Sequence, residues 1–100
     1  MDRTFRIFGR PTCKVCKDAK GKVDYFLNRW KVGAPVVYYN VDMPEGMAEG
    51  AWYDVVDIPT ILLEEGDTVV KRWALIPPRL EELKNLFGAA DDGQPIPEGA

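Results

Sequence analysis

The feature that most restricts the fold is the motif Cys13-Lys14-Val15-Cys16, set where a β-rich segment gives way to helical periodicity. Upstream, Thr4-Phe5-Arg6-Ile7-Phe8 has strand composition and stops at Gly9. Downstream, apolar residues recur at Cys16, Ala19, Val23, Phe26, Leu27 and Trp30, spacings of three and four that trace one helix face. Gly21 weakens the middle of this helix by about 1 kcal/mol relative to Ala, so tertiary packing has to hold it. Gly33 and Pro35 supply its stop. The two cysteines therefore fall at a strand-to-helix junction.

Three consequences follow from that placement. At the start of a helix, Cys13 faces unpaired backbone N–H groups and the positive end of the helix dipole, and both favour thiolate over thiol. Lys14 and Lys17 add positive charge nearby. Lowering a thiol from about 8.5 to about 6.5 takes roughly 2.7 kcal/mol, of which the dipole supplies at most about 2, so hydrogen bonds to sulfur must supply the rest. Residues three apart in a first helical turn are neighbours, so the two sulfurs can close a disulfide with little backbone movement. Exposure is asymmetric, because Cys16 shares the apolar face with Ala19 and Val23 while Cys13 sits at the edge. Cys13 is thus the expected nucleophile and Cys16 the resolving thiol.

The remaining segments complete an α/β pattern. Val36-Val37-Tyr38-Tyr39-Asn40-Val41 reads as a buried parallel strand. Asp42 is the expected N-cap of a second helix, with Pro44 in its first turn, Glu45 three residues on, and Met43, Met47, Ala51 and Val55 as its apolar face. Thr60–Glu64 and Thr68–Trp73 flank Glu65-Gly66-Asp67 as an antiparallel hairpin. Pro77-Pro78 introduces a last helix with Leu80, Leu83, Leu86 and Phe87 on one face, closed by Gly88. The expected order is βαβαββα, a mixed four-stranded sheet flanked by three helices in one domain over 1–88. Residues 89–100 are expected to form a flexible acidic tail.

Composition narrows the functional classes. At 46% hydrophobic and 29% charged, the 100-residue chain has the makeup of a soluble globular domain. A net charge of −3 with dispersed basic residues argues against nucleic acid as a partner. No apolar run approaches the roughly 18 residues of a membrane span. The Met1-Asp2-Arg3-Thr4 opening shows no secretory signal, so a reducing cytoplasm is the expected location, and there a close cysteine pair points to catalysis or metal. Zinc needs four ligands, and the chain has no His and only these two Cys, so carboxylates or a second subunit would have to complete a site. An inert buried pair or a purely structural disulfide would also account for the spacing. Redox chemistry without a bound metal or cofactor is the leading expectation.

Two motifs in order resemble the thioredoxin–glutaredoxin superfamily. Arg6-Ile7-Phe8-Gly9-Arg10-Pro11-Thr12-Cys13-Lys14-Val15-Cys16-Lys17 is similar to a glutaredoxin opening, and Val56-Asp57-Ile58-Pro59-Thr60-Ile61-Leu62 is similar to the cis-proline loop of the superfamily. The resemblance covers residues 3–87 and implies a thioredoxin-like fold and a thiol–disulfide oxidoreductase. It further implies that Pro59 is cis and packed beside the cysteines, and that the backbone of Ile58 pairs with an extended substrate segment. Arg10 stands where glutaredoxins carry a Lys that assists thiolate and glutathione binding. Arg10, Pro11, Thr12, Lys14, Val15, Ile58, Pro59 and Trp73 form the expected substrate-binding set around Cys13 and Cys16.

Some positions depart from the superfamily pattern. Between the cysteines glutaredoxins usually have Pro-Tyr and thioredoxins Gly-Pro, whereas this chain has Lys-Val. The Gly-Gly and acidic residues that hold glutathione are replaced by Lys71-Arg72-Trp73-Ala74-Leu75-Ile76, with Trp73 offering either an apolar surface to a partner or plain core. The expectation is a monomeric dithiol reductase of disulfide-containing proteins, recharged by a thioredoxin-reductase-type partner. Two competing readings are a glutathione-dependent glutaredoxin and a metal- or iron–sulfur-binding module on the same fold. An arsenate-reductase-like protein ranks below these, because Asp57-Ile58 stands where that family expects an Arg ahead of its cis-proline.

Overall fold

Strand β1 (Arg3–Gly9) lies at the centre of the sheet in a computed structural model that describes residues 2–88. It is followed by α1 (Lys14–Arg29), β2 (Val36–Asn40), α2 (Pro44–Trp52), β3 (Thr60–Glu65), β4 (Thr68–Ala74) and α3 (Leu80–Phe87), the expected order. The sheet runs β2-β1-β3-β4. β1 pairs parallel with β2 (Ile7 opposite Tyr38) and antiparallel with β3 (Ile7 opposite Ile61), and β3 pairs antiparallel with β4. The expected tail over 89–100 lies outside the described residues.

Alternation along the strands divides the core between two faces. Phe5, Ile7, Ile61, Leu63 and Trp73 pack with Ala19, Val23 and Phe26 of α1 and with Leu83 and Phe87 of α3. Phe8, Leu62 and Tyr39 form a smaller cluster on the opposite face, joined by Tyr53 and Val55 from the end of α2 and the segment after it. The α1 face matches its expected periodicity, with Cys16, Ala19, Val23 and Phe26 buried. Its C-terminus differs in detail: the helix ends at Arg29, and Lys31 (φ 54°) rather than Gly33 takes the left-handed turn. Gly66 (φ 59°) turns the hairpin, and Gly88 (φ 67°) closes α3.

Helix α2 corrects two expectations. Met43 is its N-cap, without a side-chain cap, because Asp42 donates its own N–H to Asn40 Oδ1 (2.9 Å) and turns its carboxylate to Arg10. The face turned to the sheet is Gly46 and Gly50, and Met43, Met47 and Ala51 are exposed. The reason is close approach: a Cβ on Gly46 would overlap the carbonyl oxygen of Asn40, so only glycine lets α2 rest on the end of β2. No helix among the described residues is long and apolar enough to cross a membrane.

Polar bonds tie the far end of α2 to the sheet. Glu64, buried on β3, accepts from Arg6 Nε (3.0 Å) and from Tyr53 Oη (2.7 Å), and Arg6 also donates to Tyr39 Oη (2.7 Å). Burial, and secondarily the bond to Glu64, push the Tyr53 hydroxyl up to about 12. A group raised in the folded state stabilises fully below its unfolded value, near 10, and that contribution is lost as pH rises through 12.

Tyr53→Phe is therefore expected to cost about 1 kcal/mol at neutral pH and to flatten the fall in stability between pH 10 and 12. Urea denaturation across that range checks it, and an unchanged alkaline slope would refute the assignment. The same measurement separates the glycines. Gly46→Ala should cost about 1–3 kcal/mol or more through overpacking. Gly50→Ala, whose Cβ would meet its nearest neighbour at 3.8 Å, should be neutral or up to about 1 kcal/mol stabilising.

Candidate active site

The end of β1 sets the position of the cysteines. After Gly9 the chain turns through Arg10-Pro11-Thr12, and Cys13 N–H donates to the carbonyl of Arg10 (3.1 Å). Cys13 becomes the N-cap of α1 in an extended conformation (φ −87°, ψ 112°). Its sulfur takes the capping role usually filled by Ser, Thr, Asp or Asn, accepting the N–H of Cys16 at 3.1 Å. Cys13 and Cys16 are joined as a disulfide, with Cα atoms 5.2 Å apart.

The two sulfurs are inequivalent. Cys16 is 0% exposed, whereas Cys13 is half-buried and reachable from solvent. Cys16 owes its seat to Gly9, which the sequence marks only as a strand stop. A Cβ on Gly9 would lie 2.8 Å from both Cβ and Sγ of Cys16 and 2.9 Å from Tyr38 Oη. The bare Cα of Gly9 is therefore the floor on which Cys16 and Tyr38 meet. Burial raises the Tyr38 hydroxyl above its ordinary value, and Lys20 opposes this in part, so the phenol stays neutral over that floor. A glycine at the end of β1, shortly before the cysteines, is the one sequence signal for this floor, and Tyr38 gives none.

Strand register brings the second motif to the same end of the sheet. Phe8 pairs with Thr60, so Pro59 follows one step further along, level with Gly9. The Ile58–Pro59 peptide is cis, as the resemblance implied. Pro59 is fully buried, Ile58 is half-buried, and Thr60 Oγ1 donates to the carbonyl of Asp57 (2.6 Å). From the end of β4, Leu75 N–H donates to the carbonyl of Pro59 (2.8 Å). Leu75 holds φ 70°, a left-handed conformation that costs a branched side chain about 1–2 kcal/mol, and no sequence signal marks a Leu for it.

Of the other expected substrate-binding residues, Pro11, Thr12, Lys14 and Val15 are exposed around the disulfide, Val15 by 43%. Two stand differently from expectation. Arg10 is engaged elsewhere, its Nε lying 3.0 Å from both carboxylate oxygens of Asp42. Trp73 is core: its ring packs among the α1 and α3 residues, and its indole N–H is satisfied by Glu82 Oε2 at 3.1 Å. That bond is the main cause holding the Glu82 carboxyl below the usual carboxylate range. Among the described residues no three His, Cys, Asp or Glu side chains come together in a way that could hold a metal ion.

No protein-family model matches the sequence, and a search of curated proteins gives no match. Solved structures do match. Thioredoxin-2 of a malaria parasite, described as a component of its protein secretion machinery, superposes with a TM-score of 0.73 at 17% identity, covering 87% of this chain and 82% of that one. A thioredoxin variant from Halobacterium salinarum gives 0.70 at 24% identity, covering 85% and 71%. Thioredoxin 1 of Thermosipho africanus gives 0.65 at 21% identity, covering 82% and 86%. With β1 and β3 carrying the cysteine junction and the cis-proline to one end of a mixed sheet, the chain has the thioredoxin fold.

Proposed function

We propose that the protein is a thiol–disulfide oxidoreductase that reduces protein disulfides by a dithiol mechanism. The observation that carries this reading is the capping geometry: a half-exposed Cys13 sulfur accepts a backbone N–H while disulfide-linked to a fully buried Cys16. In the reduced protein, the same N–H and the start of α1 stabilise negative charge on Cys13. Cys13 thiolate attacks one sulfur of the substrate disulfide. The substrate S–S bond breaks, its other sulfur leaves as thiolate and takes a proton, and a mixed disulfide forms. Cys16 then loses its proton and attacks Cys13 Sγ, releasing the second substrate thiol and restoring the Cys13–Cys16 disulfide. Two electrons have passed to the substrate, and a separate reductant must return them.

A protein electron donor of the flavin-dependent thioredoxin-reductase kind is the favoured source, in a reducing compartment. Leu75, whose N–H bonds the Pro59 carbonyl, and Ile76 after it are exposed in the segment where the resemblance expects the glycines that hold glutathione, and they supply apolar surface for a protein segment instead. Val15, exposed between the two cysteines, adds an apolar side chain next to the disulfide.

Insulin reduction run in parallel with a thioredoxin reductase and NADPH, and with glutathione and its reductase, tests both parts. Turnover is expected with the flavoprotein, falling to background for Cys13→Ser. Cys16→Ser should accumulate the mixed disulfide. Turnover with glutathione alone would reverse the choice of reductant, and activity retained in Cys13→Ser would refute the mechanism. Gly9→Ala should cost about 1–3 kcal/mol by overpacking and displace Cys16, slowing release of the mixed disulfide more than its formation. Stopped-flow kinetics would separate the two steps, and an unaltered release rate would exclude that role for Gly9.

A further inference from the structure

Helix α2 turns an apolar, uncharged surface to solvent. Helical spacing sets Met43, Met47 and Ala51 in one row and Pro44, Ala48 and Trp52 in the next. All six are exposed, Met47 by 58% and Trp52 by 79%. The adjoining row is acidic, Glu45 and Glu49, and Asp54 follows the helix C-terminus. A groove lined by Val37, Tyr39, Met43 and Pro44 carries the apolar surface on to β2, an edge strand. Contiguous exposed Met and Trp of this kind mark interaction surfaces in soluble domains.

Charge identifies what fits. Between Lys31 and Lys71 the chain holds no Lys or Arg except Lys31 and Lys71 themselves. Arginines that reach this side from other elements are engaged: Arg10 with Asp42, Arg6 with Glu64, and Arg72 with the carbonyl of Tyr53. Glu45, Glu49, Asp54 and Asp57 make no ion pair among the described residues.

We propose that the outer face of α2 docks an amphipathic helix rich in Lys and Arg from a protein partner. Apolar side chains of that helix seat on Met43, Met47 and Trp52, and its basic flank lies against Glu45, Glu49 and Asp54. Flexible Met side chains adapt to the partner, and Trp52 supplies a large anchor. A second copy fits poorly. Two α2 faces would oppose like charges, and α1 exposes lysines without an apolar row beside them. An anionic membrane surface would be repelled by the same carboxylates. Docking at α2 requires nothing of the cysteine chemistry.

The test is a titration of the isotope-labelled full chain with a synthetic amphipathic helix of Leu and Lys, followed by amide chemical shifts. A Leu/Glu helix of the same pattern is the control, and sedimentation reports self-association. Saturable shifts confined to α2 and its groove are expected with the Leu/Lys helix only. Affinity should fall about tenfold or more in Met47→Ser/Trp52→Ser and in Glu45→Lys/Glu49→Lys, both with unchanged denaturation midpoints. Equal binding of the Leu/Glu helix, shifts centred elsewhere, unaffected variants, or a dimer that buries Met47 and Trp52 would each overturn the proposal.

Discussion

The bare Cα at the end of β1 fixes how closely the first turn of α1 can settle on the sheet. With Cys16 and Tyr38 both pressed against Gly9, the helix start has one available position, and its unpaired N–H groups point at one place. Cys13 stands there and caps the helix through sulfur. A Ser in the same position would satisfy the N–H equally well, but its charge would not change. With Cys as cap, the bond that begins the helix also favours the reactive state of the residue, so helix capping and thiol chemistry share one hydrogen bond. Inequality of the two sulfurs follows from the same constraint, since the floor that seats Cys16 also covers it.

Much of this was legible in the residues, and what was not has identifiable causes. Strands β1 and β3 and helices α1 and α3 follow from period, because each buries a regular apolar set, and Gly9, Gly66 and Gly88 mark the ends of β1, β3 and α3. Strands β2 and β4 bury one residue each and were legible from β-rich composition alone. The cysteine junction and the cis-proline loop could be placed at one sheet end because both hang on those strands. Helix α2 defeated the pattern. Period-four methionines imitate a buried face, but the contact that places the helix is Gly46 against a backbone carbonyl, which carries no hydrophobic signal. Trp73 stayed ambiguous for a related reason: its burial depends on α3 and on Glu82, a partner nine residues away in sequence that strand composition does not indicate.

How α2 is held explains what it leaves free. Glycine packing fixes its first turn, and the bonds of Glu64 with Tyr53 and Arg6 anchor its end. The burial that would ordinarily consume an amphipathic helix's apolar stripe is therefore not required of Met43, Met47 or Trp52. The buried carboxylate is tolerable because Arg6 and Tyr53 bond both of its oxygens, and Tyr39 takes a further guanidinium hydrogen. With every member partnered, the network and the packing of Tyr53 and Val55 on Phe8 hold the end of the helix and leave its outer row out of the core.

Leu75 shows the opposite balance. A left-handed Leu is strained by about 1–2 kcal/mol, and glycine would relieve that strain. Burial does not repay it, since more than half of the Leu75 side chain is exposed. What holds the conformation is the bond from its N–H to the carbonyl of Pro59, which locks the end of β4 to the cis-proline loop. Strain retained at an exposed position next to a candidate active site is characteristic of a surface shaped for contact rather than for stability. An apolar Leu-Ile pair held in that way presents exposed contact surface next to the cis-proline loop. The proposed protein reductant draws its support from this exposed apolar pair together with the missing glycines.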